Sequence, residues 1–436
     1  MTSTSLMEQI CSSTNLNQAL RRVKKNKGCA GVDKLDIDAT IFKLRQASNG
    51  QALRQSLLDG SYQPQPVLSV EIPKPNGGVR QLGIPTVLDR IVQQAITSVL
   101  SDVYEAKFSN SSYGFRPNRS AHHALAAASR YIREGRGYVV DIDLAKYFDT
   151  VNHDRLMHRL SQDIADKRVL KLIRSYLQAG IMRNGLVEQR QRGTPQGGPL
   201  SPLLSNIVLD ELDKELERRG HKFCRYADDC QIYVYSEEAA HRVKESITEF
   251  LEQKLKLTVN REKSAATRVT ERTYLSHCFG IDGAIRISKP AQTQMRKRVR
   301  QITKRNRGRE LKVIIAELTQ YLRGWQDYFK LAIRKSSMKR LDEWIRRRLR
   351  CYRLKQRKHR YGIATWLQRQ GVTERNAWKL AMSDKGWWRL ALTPQVNHAM
   401  PTKWFEELGL YSLRDGYESL KVYSEPPYAT HACTVV

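Results

Sequence analysis

The sequence predicts an α+β chain, in which a mixed unit of helices and short strands is followed by an almost wholly helical one. Three observations lead there. Apolar runs with a two-residue period end in carboxylates at residues 138–144 and again around 223–235, where Asp228 and Asp229 sit in a tight turn between two strand-like segments. Helical periodicity surrounds both runs. After Pro290 the pattern is helical alone, with apolar stripes backed by cationic faces. A chain of 436 residues with 40% hydrophobic content can bury a sizeable core and form two or three structural units.

Taken in order, residues 6–60 read as helices joined by a basic glycine loop, Lys24–Asp33. Pro64, Pro66, Pro73, Pro75 and Pro85 keep the next stretch extended, and the Asn76-Gly77-Gly78 turn signal makes it a two-stranded ribbon. Residues 86–107 and 119–133 are helical, and 138–144 is the first central strand. Helices dominate to about residue 180. The loop Gly193–Pro202 then opens a helix running to about Arg219, because proline suits a first helical turn. The hairpin around Tyr226, a helix near 237–255 and short strands near 257–287 complete the mixed unit. Beyond it, Leu311, Ile314, Ile315, Leu318, Leu322 and Trp325 form one stripe, and Leu341, Trp344, Ile345, Leu349 and Tyr352 another. Trp325 reads as bundle core rather than as a base-stacking ring.

Alone, Asp228 and Asp229 would be a solvated turn. Upstream, however, Asp141 and Asp143 share one face of the first central strand. Carboxylates converging from separate strands repel one another unless divalent cations neutralise them, and hard oxygen donors select Mg²⁺ or Mn²⁺. Paired ions of this kind serve in-line phosphoryl transfer, so the residues suggest a nucleotidyl transferase.

Lys and Arg outnumber Asp and Glu by 75 to 44, a net charge of +31, which favours polyanionic partners. The excess is concentrated. Residues 291–360 hold 24 Lys and Arg against 5 Asp and Glu, interleaved with Trp325, Tyr328, Phe329, Trp344 and Tyr352. A solvated helix face is the plain alternative, but nucleic acid fits the aromatic interleaving better. No run of eighteen apolar residues, lipidation signal or secretory segment supports a membrane partner. Seven scattered cysteines without a CxxC pair argue against zinc and against a disulfide framework, which leads to the expectation of a cytoplasmic protein.

At this point the residues resemble the reverse transcriptases encoded by group II introns, which double as splicing maturases. Val70–Pro85 is similar to the family's first fingers block and Ser112–Arg119 to the second. Val140–His153 resembles the first catalytic block, Gly193–Pro202 the template and nucleotide loop, Tyr226–Asp229 the catalytic hairpin, and Tyr321–Phe329 the thumb segment of the maturase branch. The resemblance implies a right-hand polymerase with an antiparallel palm sheet, an α-helical thumb and a small helical basic C-terminal domain. The divisions expected are 1–60 for an N-terminal extension, 61–285 for fingers and palm, 286–360 for the thumb, and 361–436 for a DNA-binding-like region.

Aligned on the family's Phe-Asp pair, the catalytic aspartate falls on Asp143, with Asp141 a salt-bridged strand residue or an alternative ligand. Asp143, Asp228 and Asp229 are then expected to hold two Mg²⁺ ions, with Mn²⁺ as a substitute. Phe148 matches the steric gate against a 2′ hydroxyl, although by itself it reads as a core aromatic. Lys74 and Arg80, on the ribbon, are expected at the triphosphate, Gln196 against nucleotide and template, and Lys263, beside Arg261, at the leaving pyrophosphate. Arg346, Arg347 and Arg348 are expected to contact phosphates. Two departures from the family pattern stand out: Ser276 and His277 replace its usual glycine turn, and no Cys- and His-rich nuclease segment follows, so second-strand cleavage is not expected.

The function implied is copying of RNA into cDNA together with support of group II intron splicing and mobility. The partners implied are RNA template, intron RNA, a DNA primer or target and deoxynucleotides, in a ribonucleoprotein of the bacterial cytosol. A host-recruited polymerase without an intron and a binding-only splicing cofactor are the competing readings. Intact aspartates and Phe148 weigh against the binding-only one.

Overall fold

The computed structural model describes residues 5–46, 48–73, 78–183, 186–189, 192–194 and 197–424, excepting the side chains of Arg80 and of residues 421–424. Two compact units emerge: Met1–Arg272 with Ile281–Gly283, and Thr273–Gly280 with the chain from Ala284 onward.

The first unit opens with α1 (Leu6–Ile10), α2 (Ser13–Asn26), α3 (Ile37–Arg45) and α4 (Asn49–Leu58). Met7, Ile10, Ala19, Val23 and Leu57 enter the same hydrophobic core as the helices that follow, so this segment packs as part of the unit. The expected ribbon is β1 (Val67–Pro73) and β2 (Val79–Ile84), antiparallel. Then come α5 (Val87–Glu105), α6 (Ala121–Arg133), β3 (Tyr138–Ile142), α7 (Tyr147–Thr150), α8 (His153–Asp163) and α9 (Lys167–Gln178). The hairpin β4 (Ile181–Arg183) and β5 (Leu186–Glu188) escaped the sequence reading, since three-residue strands are too short to display a period. It anchors the ribbon, because β1 pairs in parallel with β4 at Val67 and Ile181.

The long helix α10 (Ser201–Arg218) leads into β6 (Lys222–Tyr226), β7 (Asp229–Val234), α11 (Glu237–Glu249), a single π turn at Phe250–Lys254 and β8 (Ala265–Arg268). Together β6, β7, β3 and β8, in that order, make the central antiparallel sheet. Its inner residues, such as Val140, Ile142, Phe223 and Ile232, pack on α10 partners including Leu204, Ile207 and Leu212.

One buried polar group ties this sheet to its neighbours. Arg225 on β6 is fully buried, and each of its guanidinium donors has an acceptor. Nε and Nη2 donate to the Asp213 carboxylate at 2.7 and 2.5 Å, Nη1 to Asn206 Oδ1 at 3.0 Å and to the Ala227 carbonyl at 2.9 Å, and Nη2 also to Ser112 Oγ at 2.8 Å. Burial works against this charge, but the Asp213 carboxylate outweighs it and carries the arginine's pKa upward. The 111–114 segment also joins the sheet edge: Arg225 N–H donates to the Ser111 carbonyl at 2.9 Å, and Tyr113 N–H to the Arg225 carbonyl at 2.8 Å.

The second unit begins with β9 (Thr273–Tyr274), β10 (His277–Phe279) and β11 (Ile285–Ile287), an antiparallel sheet of three. The departure at Ser276 keeps the hairpin shape: Leu275 and Ser276 both adopt left-handed backbone, φ 48° and 65°, without a glycine. His277 compensates from within, its ring 4.9 Å from that of Phe329 and its Nδ1 2.7 Å from the Leu275 carbonyl. Helices α12 (Lys289–Ile302), α13 (Leu311–Phe329) and α14 (Lys335–Gln356) follow, and then six shorter ones between Arg360 and Ser424 among the described residues. Ile363, Leu367, Phe405 and Leu413 share one core with Leu318 and Leu349, so packing runs unbroken across residue 360. Asp342 on α14 seals it, accepting from the Leu413 and Arg414 N–H groups at 3.0 Å each.

Asp213→Ala leaves a buried guanidinium without its counter-charge. The expected loss is about 3–5 kcal/mol of stability, read as a lower urea midpoint, while Asp213→Leu combined with Arg225→Met recovers most of it.

Candidate active site

The two carboxylate sets lie on adjacent strands. Asp143 follows the last residue of β3, and Asp228 and Asp229 occupy the turn and first residue of the β6–β7 hairpin, where Tyr226 pairs with Asp229. Because β3 pairs with β7, Ile142 lies opposite Cys230 and the aspartates come to the same sheet end. The turn itself is strained, with Ala227 at φ 58°. Gly114 makes room for it: a Cβ there would stand 2.4 Å from the Ala227 nitrogen. Asn206 donates to the Gly114 carbonyl at 2.8 Å, so α10 holds the segment beneath the turn.

Asp143 is braced by backbone. Its N–H donates to Ser264 Oγ at 3.0 Å, and its carbonyl accepts from Asn260 N–H at 2.8 Å. The Lys263 ammonium stands 3.7 Å from the Asp143 carboxylate, which brings the expected lysine to the site. Asp141 is engaged elsewhere, as the salt-bridge reading anticipated: Arg272 holds it at 2.5 and 2.9 Å and also donates to the Lys263 carbonyl at 2.6 Å. The Asp229 side chain reaches solvent at the mouth of the site, yet the packed protein around it and the charges of Asp228, Asp141 and Asp143 push its pKa up to about 6, with Lys263 opposing.

Phe148 is half-buried on α7, edge-on to Tyr147 with ring centroids 5.3 Å apart. The glycine loop fixes its backbone. Thr194 N–H donates to the Phe148 carbonyl at 2.6 Å and Gly193 N–H to the Val151 carbonyl at 2.8 Å. Gly193, at φ 83°, approaches so closely that a Cβ would meet the Phe148 oxygen at 2.7 Å. His153, buried on α8, places Nε2 2.7 Å from the Gly193 carbonyl and so completes the clasp.

Lys74 and Gln196 lie outside the described residues, as does the Arg80 side chain; the Arg80 backbone pairs with Ile72 in the ribbon. Two of the three arginines expected at phosphates, Arg347 and Arg348, bond within the bundle. Arg347 donates to the Trp388 carbonyl at 2.7 and 3.1 Å and lies 3.7 Å over its ring, and Arg348 donates to Thr303 Oγ1 at 2.6 Å, with burial lowering its pKa. They act as struts within the bundle. Successive helical residues diverge by about 100°, so a run of three cations cannot present one face.

Sequence reasoning missed the clamp of Arg225, Asp213, Asn206 and Gly114. It also missed Phe115, which stands exposed at φ 56° with its ring centroid 6.2 Å from that of Tyr226. The available signal was an arginine inside an apolar strand run, a charge that must find a partner if buried.

Comparison with known proteins now bears on this geometry. Residues 72–279 match the family of reverse transcriptases (RNA-dependent DNA polymerases), and residues 292–371 match the group II intron maturase-specific domain. The chain is 36% identical over 296 residues to protein YkfC of Escherichia coli, covering 59% of this chain and 77% of that one. The chain belongs to the reverse transcriptases with a group II intron maturase domain. Its enzyme class is RNA-directed DNA polymerase, and its α+β architecture is the right-hand polymerase fold. It is also 31% identical over 335 residues to the group II intron-encoded protein LtrA of Lactococcus lactis, covering 62% of this chain and 55% of LtrA. A putative COX1/OXI3 intron 1 protein of Saccharomyces cerevisiae is 30% identical over 274 residues, covering 50% of this chain and 33% of that protein. The chain thus spans just over half the length of LtrA and a third of the yeast relative.

The donor set suits hard divalent cations: carboxylates from two strands whose mutual repulsion is already visible at Asp229. Among the described residues no three His, Cys, Asp or Glu side chains close into a ready-made cage, and the Lys263 ammonium supplies the nearest counter-charge.

An acid whose folded-state pKa lies above its unfolded one binds its proton more tightly when folded. The contribution of Asp229 to stability therefore falls as pH rises from its ordinary 3.8 to about 6 and is level above that. Urea unfolding of the metal-free protein across this window should show the decline, and Asp229→Asn should flatten it. An equal decline in the variant would assign it to another group.

Proposed function

We propose that Asp143, Asp228 and Asp229 hold two Mg²⁺ ions, replaceable by Mn²⁺, in a centre that extends a DNA primer on an RNA template. The observation that carries this reading is the meeting of Asp143 with the Asp228–Asp229 turn at one end of the β3–β7 pair, where packing and the neighbouring carboxylates push the Asp229 pKa up to about 6. Bound divalent ions supply activation of the primer 3′ hydroxyl and neutralisation of the triphosphate. The protein's own groups do the rest. Phe148, its backbone clasped by Gly193 and Thr194, excludes a 2′ hydroxyl, and Lys263 donates a proton to the leaving pyrophosphate. Lys74 and Arg80 take the triphosphate, and Gln196 takes the nucleotide against the template.

Intron RNA is the proposed ligand of the second unit, bound through shape and phosphates in a ribonucleoprotein that supports splicing and mobility. The net charge of +19 over residues 291–360 and the match to the maturase domain support it. A cytosolic setting is supported by the six described cysteines, all free thiols. No helix among the described residues is long and apolar enough to cross a membrane.

Asp228→Asn should cut Mg²⁺-dependent cDNA synthesis by orders of magnitude while intron-RNA binding survives; loss of both in a folded protein would mean that the carboxylates organise RNA binding too. Phe148→Ala should admit ribonucleotides in primer extension, and equally poor incorporation by both proteins would remove Phe148 from the gate.

A further inference from the structure

A cavity of about 520 Å³ opens within the second unit, lined by β10, β11, α13 at Trp325, residues 332–334 and the first two turns of α12 and α14. Its walls differ by depth. Met295, Trp325 and Met338, all buried, and the half-buried Leu341 give it an apolar floor. Around the rim stand Arg286, Lys289, Arg296, Arg334 and Arg340, all exposed, and no carboxylate lines it. Among the described residues none of these five has an ion-pair partner, although the same unit uses its acids elsewhere: Glu317 holds Arg298, Arg307 and Arg309, and Glu418 holds Lys335 and Arg414.

Two further features favour an anion there. The N-cap of the 22-residue α14 is Arg334, which offers no side-chain acceptor to the first N–H groups, so this helix end presents uncapped donors at the rim. Trp325 is more than nine-tenths buried, and its indole N–H has no acceptor among the described residues.

We propose that this cavity receives one unstacked nucleotide of the strand bound by the second unit, its phosphate on the cationic rim and its base on the apolar floor. The inference rests on the nucleic-acid reading of that unit and adds a discrete subsite to it. A lone phosphate would leave the apolar floor empty, and a purely apolar ligand would leave five cations unanswered. The volume lies within the range of sites that enclose a small organic group.

The test uses the full chain and two RNA hairpins, one carrying a single bulged adenosine and one fully paired. The protein should bind the bulged hairpin about tenfold more tightly, the scale of one base stacked on an aromatic floor. Ser337→Trp fills the cavity from an exposed rim position without removing a cation, and should abolish the preference while leaving affinity for the paired hairpin unchanged. Arg334→Ser with Arg340→Ser should lower the log–log salt slope for the bulged hairpin by about 1.4, roughly 0.7 per lost contact.

No preference in the parent protein, or a preference that persists in Ser337→Trp, overturns the subsite and leaves RNA binding standing. Failure to bind either hairpin overturns the nucleic-acid reading itself. Displacement of the bulged hairpin by adenosine monophosphate at comparable concentration makes the occupant a free nucleotide and overturns the strand-borne one.

Discussion

The Arg225 guanidinium is the interaction on which the central sheet depends. It bonds to α10 through Asp213 and Asn206, to the 111–114 segment through Ser112, and to the β6–β7 turn through the Ala227 carbonyl. A buried ion pair of this kind adds little net stability, because desolvation offsets much of the attraction. Its contribution is geometric: the fork of five donors is planar and rigid, so helix, loop and hairpin must take up one mutual arrangement. The strained Ala227 backbone can persist under that constraint, and Gly114 has no side chain to contest the space.

Electrostatic tension is the second organising fact. Asp141 is neutralised by Arg272, and Asp143 is approached by Lys263, but Asp228 and Asp229 remain without ion-pair partners among the described residues. That unevenness separates Asp141, held by a permanent arginine, from the carboxylates left facing one another at the sheet end. The glycine loop is held as tightly: Thr194 N–H bonds the Phe148 carbonyl, Gly193 N–H the Val151 carbonyl and His153 the Gly193 carbonyl, in a close approach that a side chain at Gly193 would block.

In the second unit the arginines divide into two populations. Arg347, Arg348 and Arg350 give their donors to carbonyls and hydroxyls inside the bundle, Arg350 to the Met400 carbonyl at 2.8 and 3.1 Å, and they act as polar struts beneath aromatic rings. Among the described residues the rim cations of the cavity have no side-chain hydrogen bond or ion pair of this kind, although Arg296 lies 5.6 Å over the Trp344 ring. Net charge alone does not distinguish the two: within the densest run, Arg346 to Arg348, two of the three cations bond inside the bundle.

The aspartate blocks, the two-residue period of the central strands, the helix-opening prolines and the basic helical tail were legible in the sequence because each is a local signal: side-chain spacing, backbone restriction or charge count. The family followed from their order. Tertiary structure alone decided which carboxylate is taken by an arginine, since Asp141 and Arg272 are 131 residues apart. It also decided that Arg225 is an internal tie, that His277 rather than glycine supports the β9–β10 turn, and that residues 361–413 continue the core of the thumb helices. Those outcomes depend on which distant groups meet once water is excluded, and spacing along a single chain carries no record of that.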